Sequence, residues 1–195
     1  ILSLKVKYIC MKRSVLTLFF LLCLALVANA QYDKDVFNFR GRAALADGKY
    51  SEAIGHFNVL ARLDSTDCWT FFYRGIAKYN LGDLRGAQAD FNTSVRLNPV
   101  FTNGYHYRAI TLSRSGKYDE ALKDLEKALE LRPGLNGLYF SRGVTYFLAQ
   151  QFDKAVSDFD RYIRKEPKDP SAFLNRGASY LFLGDTTKAL EDYNR

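Results

Sequence analysis
The sequence predicts an all-α chain built of stacked helical pairs. Three columns of residues predict it. Proline stands at 99, 133 and 167, a constant step of 34 residues. The same step links Ala53, Ala87, Ala121, Ala155 and Ala189. It also links Phe57, Phe91, Leu125, Phe159 and Tyr193, all large and apolar. A fixed period of this length marks a supersecondary unit that cannot bury its apolar face alone and stacks on its neighbours.

Each repeat is numbered 1 to 34 from Lys34, Cys68, Thr102, Asn136 and Pro170, and its parts then follow in order. Place 8 is small throughout: Gly41, Gly75, Ala109, Gly143 and Gly177. It lies on the first helix, and the alanine of place 20 lies on the second. Both stand at matched distances from a turn at place 15, so they are expected to face each other and let the two backbones approach. A larger residue at either place would overpack by about 1–3 kcal/mol. The large residue of place 24 is expected to fill the space one turn away. Place 15 is Gly48, Gly82, Gly116 and Gly184, with Gln150 the one break. Glycine there permits the left-handed residue that ends a helix. Proline at place 32 cannot continue the second helix and separates one repeat from the next.

Composition agrees with a folded chain. Of 195 residues, 48% are apolar and 25% charged, which excludes a disordered or collagen-like chain. The net charge of +7 is concentrated at the start, where Lys5, Lys7, Lys12 and Arg13 stand without an acid before Asp33. The rest carries 24 basic against 21 acidic residues, too even for the basic face of a nucleic-acid binder, so no nucleic-acid partner is expected. Met11-Lys12-Arg13, an apolar run of fourteen residues from Val15 to Ala28, and Ala28-Asn29-Ala30 form the three parts of a secretory signal. Cleavage is expected between Ala30 and Gln31. The run is shorter than the roughly 20 residues of a membrane span, so the mature chain is expected to have none. Residues 1–10 do not fit a signal and read as an over-extended frame ahead of Met11. The mature domain is then 31–195, exported to the periplasm or outside of a bacterium. Cys68 is the one cysteine beyond the signal, so no intrachain disulfide is expected.

These columns resemble the tetratricopeptide repeat family. The family pattern adds an aromatic at place 4, here Phe37, Phe71, Tyr105, Tyr139 and Phe173. The resemblance covers residues 34–195. Ser65 replaces the first proline, and place 11 is aromatic only at Tyr146 and Tyr180. It implies a right-handed superhelical solenoid of helix-turn-helix hairpins with a concave groove. The fifth repeat stops at place 26, so the chain reads as a fragment with more sequence to follow.

Two residue sets are candidates for function. Place 7 is always arginine, and place 23 is acidic in the last four repeats. These places are about level across a hairpin. The pairs Arg74 with Asp90, Arg108 with Asp124, Arg142 with Asp158 and Arg176 with Asp192 therefore read as structural ion pairs, since Arg can bond a carboxylate bidentately. The alternative is an arginine ladder for an anionic partner; in the first repeat Arg40 stands opposite His56. The second set is the groove, which the resemblance places at 2, 5, 9, 12 and 13 of each first helix. Its candidates are Asn38 and Arg42 at a polar, basic N-terminal end. Trp69, Phe72, Ile76, Tyr79, His106, Ile110, Phe140, Val144, Phe147 and Leu174 follow as an apolar stretch. Aromatic anchors in apolar pockets dominate interface energetics, which suits a protein or peptide partner with bulky side chains. The places used by chaperone-tail clamps read Asn38/Arg42, Phe72/Ile76 and His106/Ile110, so that clamp is rejected.

Catalytic readings fail. His56 and His106 stand at unlike places, and no metal site is expected. Cys68 follows Asp67, which raises a thiol pKa and makes a poor nucleophile. Gly82-Asp83-Leu84-Arg85-Gly86 lacks the Lys-Ser/Thr ending of a phosphate loop. No cofactor is expected. The sequence therefore reads as an exported, non-enzymatic scaffold that binds a protein or peptide in its groove. Two alternatives are a docking arm of a longer chain with an enzyme or receptor domain, and a self-association module using Leu181, Leu183 and Leu190.

Overall fold
A computed structural model of the chain describes residues 34–195, together with residues 16, 17, 19 and 20, which are helical and exposed. The expected frame extension at 1–10 and the cleavage point after Ala30 lie outside the described residues. No helix among the described residues is long and apolar enough to cross a membrane. The chain divides into two compact units, Ile1–Ser65 and Thr66–Arg195.

In the first unit, helix α1 (34–46) folds back on α2 (Tyr50–Leu63). The second unit holds α3 (Cys68–Asn80), α4 (Leu84–Leu97), α5 (Thr102–Arg114), α6 (Tyr118–Leu131), α7 (Gly137–Leu148), α8 (Phe152–Ile163), α9 (Pro170–Phe182) and α10 (Thr186–Tyr193). Consecutive helices pair as hairpins, α3 with α4 through α9 with α10. Each second helix also packs on the first helix of the next hairpin, while α3, α5, α7 and α9 touch in sequence. No strand occurs among the described residues.

The turns explain the helix lengths. Gly48, Gly82, Gly116 and Gly184 have φ of 74–84°. The next residue in each case donates its N–H to the carbonyl five residues back, as Asp83 does to Lys78 at 3.0 Å and Asp185 to Tyr180 at 2.9 Å. This Schellman arrangement satisfies carbonyls that the helix end leaves open. Gln150 completes the same turn with φ 59°, and Gln151 reaches Tyr146 at 2.8 Å. The repeat geometry thus overrides the side-chain preference. Four starts are capped by aspartate: Asp67, Asp83, Asp169 and Asp185 accept backbone N–H groups of the first turn.

The small residue of place 8 has a different partner from the one its position suggests. A Cβ at Gly75 would lie 2.7 Å from Cε1 of Phe91; at Gly143 it would lie 2.8 Å from Phe159, and at Gly177 2.8 Å from Tyr193. The ring of place 24 lies directly against the glycine, and the alanine of place 20 is not among the nearest atoms. The third repeat solves the same problem differently. Place 8 is Ala109 and place 24 is the smaller, branched Leu125, both fully buried. Glycine goes with a ring, and alanine with leucine.

Candidate functional site
All four expected ion pairs form, each through two hydrogen bonds. Arg74 donates from Nε and Nη2 to Asp90 at 2.9 and 2.6 Å. Arg108 meets Asp124 at 2.7 and 2.6 Å, Arg142 meets Asp158 at 2.7 and 2.8 Å, and Arg176 meets Asp192 at 2.8 and 2.6 Å. The carboxylates are buried. Hydrogen bonds donated to Asp124 and Asp158 hold the guanidiniums of Arg108 and Arg142 above their ordinary range. Each guanidinium also lies over the ring of place 4, at 5.2 to 5.5 Å from Phe71, Tyr105, Tyr139 and Phe173. Two arginines reach the preceding repeat as well: Arg108 donates to Asn92 and Arg176 to Asp160. These arginines hold hairpins together and fasten one to the next. From the second repeat onward the arginines of this column are engaged within the frame. In the first unit His56 lies 3.7 Å from Glu52, and Arg40 is exposed.

The groove candidates separate into three groups. Tyr79, Ile110, Phe140 and Val144 converge where α3, α5 and α7 meet. With Ser113, Arg114, Ser141, Thr145 and Leu148 they line a cavity of about 330 Å³. Its walls are mostly carbon. Phe72 is not groove surface. It is 4% exposed and packs against Phe101 at 4.9 Å, Tyr107 at 5.3 Å and Phe91 at 6.0 Å, inside an aromatic core. Ile76 packs against the same cluster, and Trp69 stands half exposed at its edge. Phe147 turns away from the cavity to join Phe152 and Phe182. Leu174 is exposed on α9, and Asn38 and Arg42 are exposed on α1 in the first unit.

His106 connects two first helices. Its Nε2 is 2.7 Å from Oγ of Ser141, and burial pushes its pKa down to about 4. The ring is therefore neutral at physiological pH. Cys68 also matches its reading: burial is the first cause holding its pKa up, and Asp67 adds to it.

The sequence reading did not single out Ser113, Arg114, Ser141 or Leu148. One signal was present. Ser113 stands at place 12 among Leu45, Tyr79, Phe147 and Leu181, a hydroxyl in an apolar column.

Two models of the tetratricopeptide repeat match this chain, over residues 102–135 and 140–195. Solved structures of like fold include MamA 41-end from Desulfovibrio magneticus RS-1. It is 22% identical with a TM-score of 0.77, over 83% of this chain and 92% of that one. A second is MamA AMB-1, 22% identical with a TM-score of 0.73, over 81% and 94%. A third, MamA protein, is 18% identical with a TM-score of 0.74, over 83% and 88%. At these identities the likeness is one of fold. No curated protein matches the sequence. The fold is an all-α solenoid of tetratricopeptide-type hairpins.

Proposed function
We propose that this chain is a non-catalytic scaffold that holds a partner protein or peptide on the face shared by α3, α5 and α7. The cavity bounded by Tyr79, Ile110, Phe140, Val144 and Leu148 carries this reading. It offers apolar contact on a frame pinned by bidentate ion pairs, so little ordering cost falls on the protein side of the complex. Export through the signal-like residues 11–30 completes the proposal and places the partner in the envelope or outside the cell.

The test is affinity capture from an envelope extract with native 31–195 and with Val144→Lys, which puts a charge into the cavity. Circular dichroism first establishes that the variant keeps native helicity. A partner held by the native chain and lost by the variant supports the reading; partners held equally by both contradict it. One observation favours a second reading, self-association: Leu181, Phe182 and Leu190 are 51%, 65% and 61% exposed on the last hairpin. Sedimentation over a hundredfold concentration range tests it, and a constant monomer mass refutes it.

A further inference from the structure
Two hollows lie at the loops that join one hairpin to the next, and neither shares a residue with the cavity between α3, α5 and α7. The first, of about 660 Å³, is lined by Asn136, Tyr139, Arg161, Arg164, Lys165 and Glu166 beside the 133–134 loop. The second, of about 510 Å³, is lined by Pro167, Lys168, Pro170, Phe173 and Arg195. They are one feature repeated. Tyr139 and Phe173 both hold place 4, and Arg161 and Arg195 both hold place 26. Each ring is buried and has two guanidiniums over it. Arg142 and Arg176, each 5.5 Å from the ring centroid, are tied to their aspartates. Arg161 at 4.1 Å and Arg195 at 5.5 Å have exposed side chains that make no hydrogen bond or ion pair among the described residues. The same holds for Arg164, Lys165 and Lys168. Earlier repeats fill place 26 otherwise: Thr93 bonds the Ala89 carbonyl, and Lys127 pairs with Glu130 at 2.9 Å.

Charge and spacing narrow the ligand. A guanidinium resting on a ring keeps its N–H edge free for a carboxylate. The first hollow sets three cations against Glu166, and the second has two cations and no acidic side chain in its lining. Asp169, on the loop between them, is already engaged: it accepts from the Tyr162 hydroxyl at 2.8 Å and the Ser171 N–H at 2.9 Å. The first helices α7 and α9 touch, and touching helices stand about 8–10 Å apart. A polyproline-type chain has three residues per turn and rises about 3.1 Å per residue, so residues i and i+3 share one side about 9 Å apart. That matches the step from one hollow to the next. Glu166 stands on the loop that joins the hollows, where it repels an unbroken run of negative charge such as a lipid surface presents. Two discrete carboxylates pass on either side of it. We propose that this edge of the fourth and fifth repeats binds an acidic segment of a partner protein in extended, polyproline-type form, with carboxylates i and i+3 on Arg161 and Arg195. The site goes beyond the groove reading and does not depend on it.

Two blocked peptides of equal composition and charge test it, acetyl-Glu-Pro-Pro-Glu-amide and acetyl-Pro-Glu-Glu-Pro-amide, titrated into ¹⁵N-labelled protein by NMR at low ionic strength. One added exposed ion pair predicts that the spaced peptide binds about 1.5–5-fold tighter than the adjacent one, with shifts at Tyr139, Lys165 and Phe173. Arg161→Gln and Arg195→Gln each remove that preference, because each leaves a single arginine to pair. Arg85→Gln removes the same charge from an exposed place at the start of α4 and keeps the preference. Circular dichroism first establishes that all three variants keep native helicity. Equal affinity of the two peptides overturns the proposal. So does a preference that survives Arg161→Gln and Arg195→Gln, or one that Arg85→Gln removes as well. Vesicles of phosphatidylglycerol and phosphatidylcholine form the membrane arm: cosedimentation that depends on Arg161 and Arg195, without peptide shifts at the hollows, overturns the peptide assignment. Partner capture through Val144 is read separately, so the groove reading stands or falls on its own.

Discussion

Gly143→Ala is the sharpest perturbation of the hairpin packing. The added Cβ would lie 2.8, 3.0 and 3.1 Å from three atoms of the Phe159 ring, which is fully buried. Carbon atoms pack at about 3.5–4.0 Å, so ring or helix must move by several tenths of an ångström. Helix propensity favours alanine over glycine by about 1 kcal/mol, and overpacking costs about 1–3 kcal/mol. The net expectation is a loss of about 0–2 kcal/mol. Phe159→Leu alone leaves space beside the glycine and costs about 1–3 kcal/mol. The double variant reproduces the Ala109–Leu125 pair of the third repeat, so it should be more stable than the two losses added together. A coupling of about 1–2 kcal/mol is expected, within the range for residues in contact. Urea denaturation followed by far-UV circular dichroism measures all four corners of the cycle. Losses that add within about 0.5 kcal/mol would refute the idea that place 24 packs on place 8.

Other expectations use the same frame. Gln150→Gly relieves the one non-glycine residue at positive φ among those described and should raise stability by about 1 kcal/mol, read as a higher urea midpoint. Asp158→Asn leaves the Arg142 guanidinium without its anion and should cost about 3 kcal/mol or more, whereas Arg142→Met with Asp158→Leu should cost less than that single change. His106 is held down to about 4 from 6.5, so the folded state favours the neutral ring. Its contribution is present above pH 6.5 and fades as pH falls toward 4, by up to about 3 kcal/mol. The difference in unfolding free energy between native protein and His106→Gln should shrink across that window, and a flat difference would count against the assignment.

The hairpin frame was legible in the sequence because its contacts recur at one spacing. Arg142 and Asp158 stand sixteen residues apart, as do Gly143 and Phe159, and the turn fixes both distances together. The site was less legible because it depends on contacts between repeats. Phe72 occupies the same place as Phe140, yet Phe101, from the loop before α5, covers it and makes it core. Phe147 shares its column with Tyr79 but is drawn aside by Phe152 and Phe182. Ser113 could be read as a hydroxyl in an apolar column. That its Oγ has no hydrogen-bond partner among the described residues is a property of its side-chain orientation, which no spacing encodes. The pairing of glycine with a ring and of alanine with leucine stood in the columns, but recognising it required seeing which place the ring touches.

Site-specific photo-crosslinking in the cell of origin tests the central claim most directly. A benzophenone amino acid replaces Val144 in the cavity or, as the control, the exposed Lys127 on α6. The account predicts a discrete adduct with another protein from position 144 and none of that mass from 127. An adduct from 127 without one from 144, or equal adducts from both, would contradict binding on the α3, α5 and α7 face.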